Sequence, residues 1–381
     1  MADVWREATL GQLLTLEYGK ALPERDRDGE GHPVFGSSGV VGRHSQALVS
    51  GPGIVVGRKG TAGSVLWSQG DFFPIDTTYW VNMRDAESTD LRFIALLLEW
   101  VDLPGICAQT GVPGLNRDRA YEIPVRLPSL PEQRRIVDLI GALDAQIDAL
   151  DTEGQALRTL LVSQREVLVE SATWEPIAAM TRESGIQIGP FGAQLHAYDY
   201  VELGVPVVMP QDIIDGEIRT EKIKYVSEAM ASTLARHRLE PGDLVLPRRG
   251  DLTKRALVRE DQRGWLCGTG SIRIRLAEPS MAPMLLEGLS TRATDEWLET
   301  NAVGTTMLNL NTEIVSKIPA PRFRDAGRAL AEACIATRTQ VKGLEDELAS
   351  VRGLRATMLG GLLDDQVKIP DFYDALLAET A

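Results

Sequence analysis

The chain has 381 residues, 44% of them hydrophobic and 25% charged, with a formal net charge of −14. That composition excludes a disordered chain, and the length exceeds one ordinary core, so two domains with connecting structure are expected. The acidity argues against a free-standing nucleic-acid binder, because DNA-binding domains are usually basic.

The first residues, Met1-Ala2-Asp3-Val4-Trp5-Arg6-Glu7, carry neither the basic start nor the apolar stretch of a signal peptide. The longest apolar run, Phe93 to Leu98, is far too short for a bilayer, and a cytoplasmic location is expected. Cys107, Cys267 and Cys334 stand apart without metal or disulfide spacing, so buried thiols are expected. The four histidines form no His-Glu-x-x-His pattern, and no metal site is expected.

In chain order, β-branched strands alternate with Gly, Pro and Asp turns: Ile54–Val56, Thr77–Val81, Val205–Val208 and Ile272–Leu276, with a short helix at Leu91–Leu98. Two longer segments read as helices with a heptad stripe. In the first, Ile136, Ile140, Leu143, Ile147, Leu150, Leu157, Leu161 and Leu168 fall on steps of four and three, with Gly154 and Gln164 filling the seam. In the second, Leu330, Cys334, Val341, Leu344, Leu348, Val351, Met358 and Leu362 do the same, with Thr337 and Arg355 as its weak positions. Two apolar positions in seven suit a narrow helix–helix seam rather than a globular face, and each stripe spans roughly 60 Å of helix.

The segments before the helices repeat one another. Gly111-Val112-Pro113-Gly114-Leu115-Asn116-Arg117 leads to Ile123-Pro124, and Gly304-Thr305-Thr306-Met307-Leu308-Asn309-Leu310-Asn311 leads to Ile318-Pro319. Further upstream, Gly53-Ile54-Val55-Val56-Gly57-Arg58-Lys59-Gly60 matches Gly242-Asp243-Leu244-Val245-Leu246-Pro247-Arg248-Arg249-Gly250. Trp5 and Trp174 correspond near the two starts. The order is unit, helix, unit, helix: α+β domains at 1–128 and 173–321, long antiparallel helices at 129–172 and 322–363, and a tail at 364–381, in a pseudo-twofold repeat.

No phosphate loop, no Gly-x-Ser-x-Gly, no Asn/Asp-Pro-Pro-Tyr/Phe methyltransferase motif and no nuclease-like carboxylate cluster occurs. Gly51-Pro52-Gly53 precedes its strand and holds a proline, unlike a dinucleotide loop. No catalytic residue is expected. The best candidates are the strand-to-basic turns, where Arg58, Lys59, Arg248 and Arg249 meet a glycine that permits close approach, with Lys254 and Arg255 extending the second cluster. Solvated surface charge is the alternative for each. Ser37 and Ser38, with Arg43 nearby, and Gln194 and Gln211 lie in polar loops suited either to phosphate contacts or to plain turns.

The run Ile123-Pro124-Val125-Arg126-Leu127-Pro128-Ser129-Leu130-Pro131-Glu132-Gln133-Arg134-Arg135-Ile136 resembles the specificity (S) subunit of type I restriction–modification systems. Gly189-Pro190-Phe191-Gly192, Asp199-Tyr200, Gly204-Val205-Pro206 and Gly304-Thr305-Thr306 are similar to a common recognition domain of that family. The second helix departs from the pattern, opening Pro321-Arg322-Phe323-Arg324-Asp325-Ala326 without Glu-Gln-Arg-Arg. The resemblance implies a non-catalytic subunit with two target recognition domains reading a bipartite target in double-stranded DNA. It implies partners: two methyltransferase (M) subunits that use S-adenosylmethionine to methylate adenine N6, and translocase–nuclease restriction (R) subunits. A spacer near 60 Å exceeds one DNA turn of about 34–36 Å, consistent with an unread middle. An acidic scaffold or DNA mimic without sequence-specific binding is the other reading of the charge.

Overall fold

The structure, a computed structural model, describes residues 5–107, 114–170, 172–304, 308–323, 325–370 and 373. The chain divides into two compact units, Met1–Asp151 with Glu347–Ala381 and Thr152–Asp346. The division falls inside two long helices, Leu130–Glu170 (41 residues) and Asp325–Leu363 (39 residues).

In the first unit an antiparallel sheet orders its strands Leu14–Tyr18, Thr78–Met83, Gly53–Gly57 and Val65–Ser68. Gly53–Gly57 is buried along its whole length, which explains its unbroken apolar run. Its glycines are forced by close approach, since a Cβ at Gly57 would stand 2.1 Å from the Thr61 carbonyl oxygen. The core of this unit gathers Leu10, Leu14, Leu16, Ile54, Val56 and Phe93. It also takes in Ile136 and Ile140 from the first long helix and Leu359 and Leu362 from the second.

The second unit repeats the plan. Its sheet runs Thr181–Ile188, Ser271–Leu276, Leu244–Pro247 and Ala256–Leu257, antiparallel throughout and in the same order. The pairing Val56–Tyr79 in one unit answers Leu246–Ile272 in the other. A closing ribbon also recurs, Arg6–Thr9 on Pro124–Leu127 and Thr173–Pro176 on Pro319–Arg322. That register sets Glu7, not Trp5, against Trp174. Trp5 is buried under the Arg126 guanidinium, 5.5 Å from the ring, whereas Trp174 is 43% exposed. Two tryptophans near strand starts read as equivalent in sequence, but a two-residue offset separates them.

Within each unit the long helices run antiparallel. In the first, Asp144 pairs with Arg355 and Asp151 with Arg352. In the second, Arg158 pairs with Glu345, and Leu161 and Leu168 pack with Ala331 and Cys334. Every heptad position of both stripes is buried or half-buried. Arg355, a weak seam position by sequence, holds its place through ion pairs to Asp144 and Glu99.

The glutamine of the Glu-Gln-Arg-Arg run has a structural task. Gln133 is buried, donates to the Ser88 and Pro128 carbonyls at 3.1 and 3.0 Å, and accepts the Asp90 N–H at 2.8 Å. Asp90 in turn caps the helix Leu91–Trp100, so one satisfied amide ties the two helix starts together. Among the described residues, the second long helix shows no such latch. Phe323 packs against Gly288 there, an apolar solution to the same join.

Cys267 and Cys334 are buried and Cys107 is half-buried. Among the described residues no group of three or more His, Cys, Asp and Glu could hold a metal ion, and no helix is long and apolar enough to cross a membrane.

Candidate nucleic-acid interface

Both basic turns rest on one backbone frame. The Arg58 N–H donates to the Thr77 carbonyl at 2.9 Å, and its carbonyl accepts the Leu115 N–H at 2.9 Å. The Arg248 N–H donates to the Gly270 carbonyl, 2.6 Å, and its carbonyl accepts the Leu310 N–H, 2.7 Å. Gly60 and Gly250 close the turns at φ 77° and 82°, a left-handed conformation that glycine adopts without strain. The Gly–Leu–Asn turns therefore serve as straps that fasten the basic turns. Asn116 and Asn311 then cap the helices Arg117–Tyr121 and Thr312–Ser316. Gly111–Pro113 and Thr305–Met307 of these straps lie outside the described residues.

A second loop joins each turn. Val34–Phe73 and Phe35–Pro74 form a parallel pair in the first unit, and Val207–Leu266 and Val208–Cys267 one in the second. The next residues are bonded alike, Ile75 N–H to the Phe35 carbonyl and Gly268 N–H to the Val208 carbonyl, both 2.9 Å. Counting forward, Ser37-Ser38 and Pro210-Gln211 occupy matching places. Ser37 is half-buried, accepts the Ser64 hydroxyl on its carbonyl at 2.6 Å, and has its own hydroxyl 3.2 Å from where a Cβ on Gly60 would stand. Ser38 and Gln211 are exposed. A Cβ on Gly270 would meet Pro210 at 3.2 Å and the Arg249 Nε at 4.0 Å. The structure thus brings Ser37, Ser38, Arg58 and Lys59 together in one unit, and Gln211, Arg248 and Arg249 in the other.

The remaining candidates stand apart. Arg43 is exposed on the far strand of its hairpin, opposite Pro33, with its guanidinium on the Gly31 carbonyl. Gln194 is exposed, and its carbonyl oxygen accepts the Phe191 N–H at 3.4 Å. Lys254 lines a cavity of about 680 Å³ together with Arg158, Arg165 and Arg338. Arg255 requires a correction. It is 4% exposed, paired with Asp295 and bonded to the Thr253 carbonyl at 2.7 Å. Burial lowers its pKa while Asp295 opposes that shift. It is a structural residue of the second unit, not an extension of the exposed cluster.

The side chains at the turns differ more than the backbones. Arg248 turns inward, its Nε donating to the Asn309 side-chain oxygen at 3.1 Å and the Leu310 carbonyl at 3.2 Å. Arg58 instead lies 5.1 Å from the centroid of the Tyr18 ring, and Arg117 lies 4.8 Å from the same ring. Sequence patterning missed Tyr18 and Arg117. Their signal was faint: Tyr18 ends a strand, and Arg117 directly follows the capping Asn116.

The two units are thus two copies of one α+β plan, each with a basic turn fastened by a strap that runs into a short capped helix. Residues 3–158 match the family "Type I restriction modification DNA specificity domain". The type I restriction–modification S subunit from M. genitalium shares the fold at TM-score 0.68 and 17% identity, over 95% of this chain and 96% of that one. A chain from a structure of type I R-M complex assembly and conformational transition aligns at TM-score 0.50 and 14% identity, over 96% and 98%. No curated protein matches the sequence. The match to the DNA specificity domain thus covers the first unit's sheet domain and the first long helix as far as residue 158, and the whole chain has the fold of the M. genitalium S subunit.

Proposed function

We propose that the chain reads a bipartite DNA target, one half-site per unit, and docks the methyltransferase and restriction subunits that act on it. The observation that carries this reading is the duplicated basic turn on an identical frame of backbone hydrogen bonds. Two like surfaces on one chain suit two half-sites, as dimeric readers use two copies of one domain. Lys59 and Arg249 are exposed at equivalent places, where arginine and lysine contact guanine edges or phosphates. The chemistry belongs to the partners: M subunits with S-adenosylmethionine flip and methylate the target adenine, and R subunits translocate and cut. The partners' surfaces supply the non-specific phosphate affinity that a chain of net charge −14 lacks.

The test is a gel shift of the purified chain with and without its methyltransferase, followed by methylation mapping in cells lacking other adenine methyltransferases. The expected outcome is weak binding alone, specific binding in the complex and a two-part methylated sequence. Tight specific binding by the isolated chain at physiological salt overturns the division of labour. Absence of sequence preference in the complex leaves the acidic scaffold as the better reading.

A further inference from the structure

The first unit holds a cluster that its motif did not announce. Tyr18 is 49% exposed at the end of its strand, and the guanidinium carbons of Arg58 and Arg117 stand 5.1 and 4.8 Å from its ring centroid. A ring face holds a guanidinium through its quadrupole and leaves the N–H donors free. Arg117 makes one long contact, 3.5 Å, to the Leu16 carbonyl. Arg58 Nε is buried with no hydrogen-bond partner. Among the described residues, no carboxylate stands within ion-pair distance of Arg58, Lys59 or Arg117. Three cations are thus gathered without counter-charge on an acidic chain, whereas at the matching turn Arg248 is already bonded.

We propose that Tyr18, Arg58 and Arg117 form a guanine-reading centre of the first unit, with Tyr18 holding the arginine forks for the O6/N7 edge of a guanine in the major groove. This deepens, and rests on, the reading of the chain as a DNA-recognition subunit. The chemistry selects guanine because it alone offers two neighbouring acceptors in that groove, matching a guanidinium fork; adenine offers one acceptor and a donor. Exposed Lys59 beside the centre suits the adjoining phosphate as a point charge. Tyr18 is a positioning residue, and the two arginines make the contacts.

The experiment uses the complex of the chain with its methyltransferase and a panel of duplexes in which each base pair of both half-sites is changed singly. Wild-type complex without preference at any position defeats the functional reading itself, and this proposal with it. Given a preference, Arg58→Lys and Arg117→Lys keep the charge and lose the fork. The expected result is about a 10- to 100-fold loss of discrimination at a guanine of one half-site. The other half-site should read normally, which also shows that the variants are folded, and salt dependence should be unchanged. Tyr18→Phe, which keeps the ring, should read like wild type, while Tyr18→Leu should weaken discrimination at the same guanine. Three outcomes overturn the proposal: an equal loss on every duplex with shallower salt dependence, which marks phosphate contacts; unaltered discrimination in the arginine variants; or half-sites in which no guanine matters.

Discussion

The two units solve one problem with the same parts and opposite exposure. In each, the helix behind the sheet sends an acid to the long helices. In the first unit Glu99 meets Arg355, which also holds Asp144, and the three groups are 20–37% exposed. In the second unit Glu287 is fully buried and receives Arg165 at 2.7 Å and Arg338 at 2.8 Å. The basic turns contrast similarly, with Arg58 uncommitted on a tyrosine face and Arg248 spent on its strap. A duplicated backbone therefore does not imply duplicated energetics: at the matching turns Arg248 is bonded to its strap, and Arg58 Nε has no hydrogen-bond partner.

The largest expected effect follows from the buried knot. Glu287→Ala strands Arg165 and Arg338, 18% and 19% exposed, beside each other without their acid. Breaking a buried pair by removing one partner costs about 3–5 kcal/mol. Denaturant unfolding should show that loss, and a midpoint unchanged within error would mean that the knot contributes nothing to the second unit.

The next effect separates the two turns. Arg58→Ala with Lys59→Ala should reduce binding at one half-site by about 1–3 kcal/mol and leave the melting temperature unchanged. Arg248→Ala should instead lower stability by about 1–2 kcal/mol through its lost strap bonds, with Arg249→Ala carrying the binding loss. Melting curves and half-site titrations on the three variants would expose any reversal. A smaller effect depends on acid. His237 is buried and accepts from Arg236 Nε at 3.0 Å. Burial, with Arg236 and Arg273 nearby, lowers its pKa from 6.5 to about 4. Below pH 6.5 the unfolded chain binds a proton that the folded one refuses until about pH 4. Stability is therefore complete above 6.5 and falls as pH drops through that window. His237→Gln should flatten the pH dependence of the urea midpoint between pH 6.5 and 4.

The sequence made the strands, both heptad stripes and the repeated turns legible because each obeys a local rule: burial period, glycine at a left-handed turn, or asparagine at a cap. The tyrosine–arginine cluster obeys none. Residues 18, 58 and 117 meet only through sheet register and a strap, and no window contains all three. Arg255 read as surface charge because its partner Asp295 arrives on a helix 40 residues later. Ser38 and Gln211 share a place in the frame but no chemistry, so their equivalence was invisible before the parallel pairs were known.

The smallest effect completes the comparison. Glu99→Gln removes the charge of the exposed counterpart of Glu287. Arg355 keeps Asp144 at 2.5 and 3.3 Å, so its guanidinium is not stranded. Its pKa is raised despite partial burial, through both acids. Glu99 is 37% exposed, so the lost pair was partly screened by water, and its replacement amide can still accept a hydrogen bond from Arg355. The cost should stay below about 1 kcal/mol and shrink further at high salt. Glu287→Gln is the matched control, because the same amide there is fully buried and faces two arginines. Denaturation of both variants at low and high salt should show a several-fold larger, salt-insensitive loss for Glu287. Equal losses would mean that exposure does not set the strength of these knots, and the contrast between the units would lose its energetic basis.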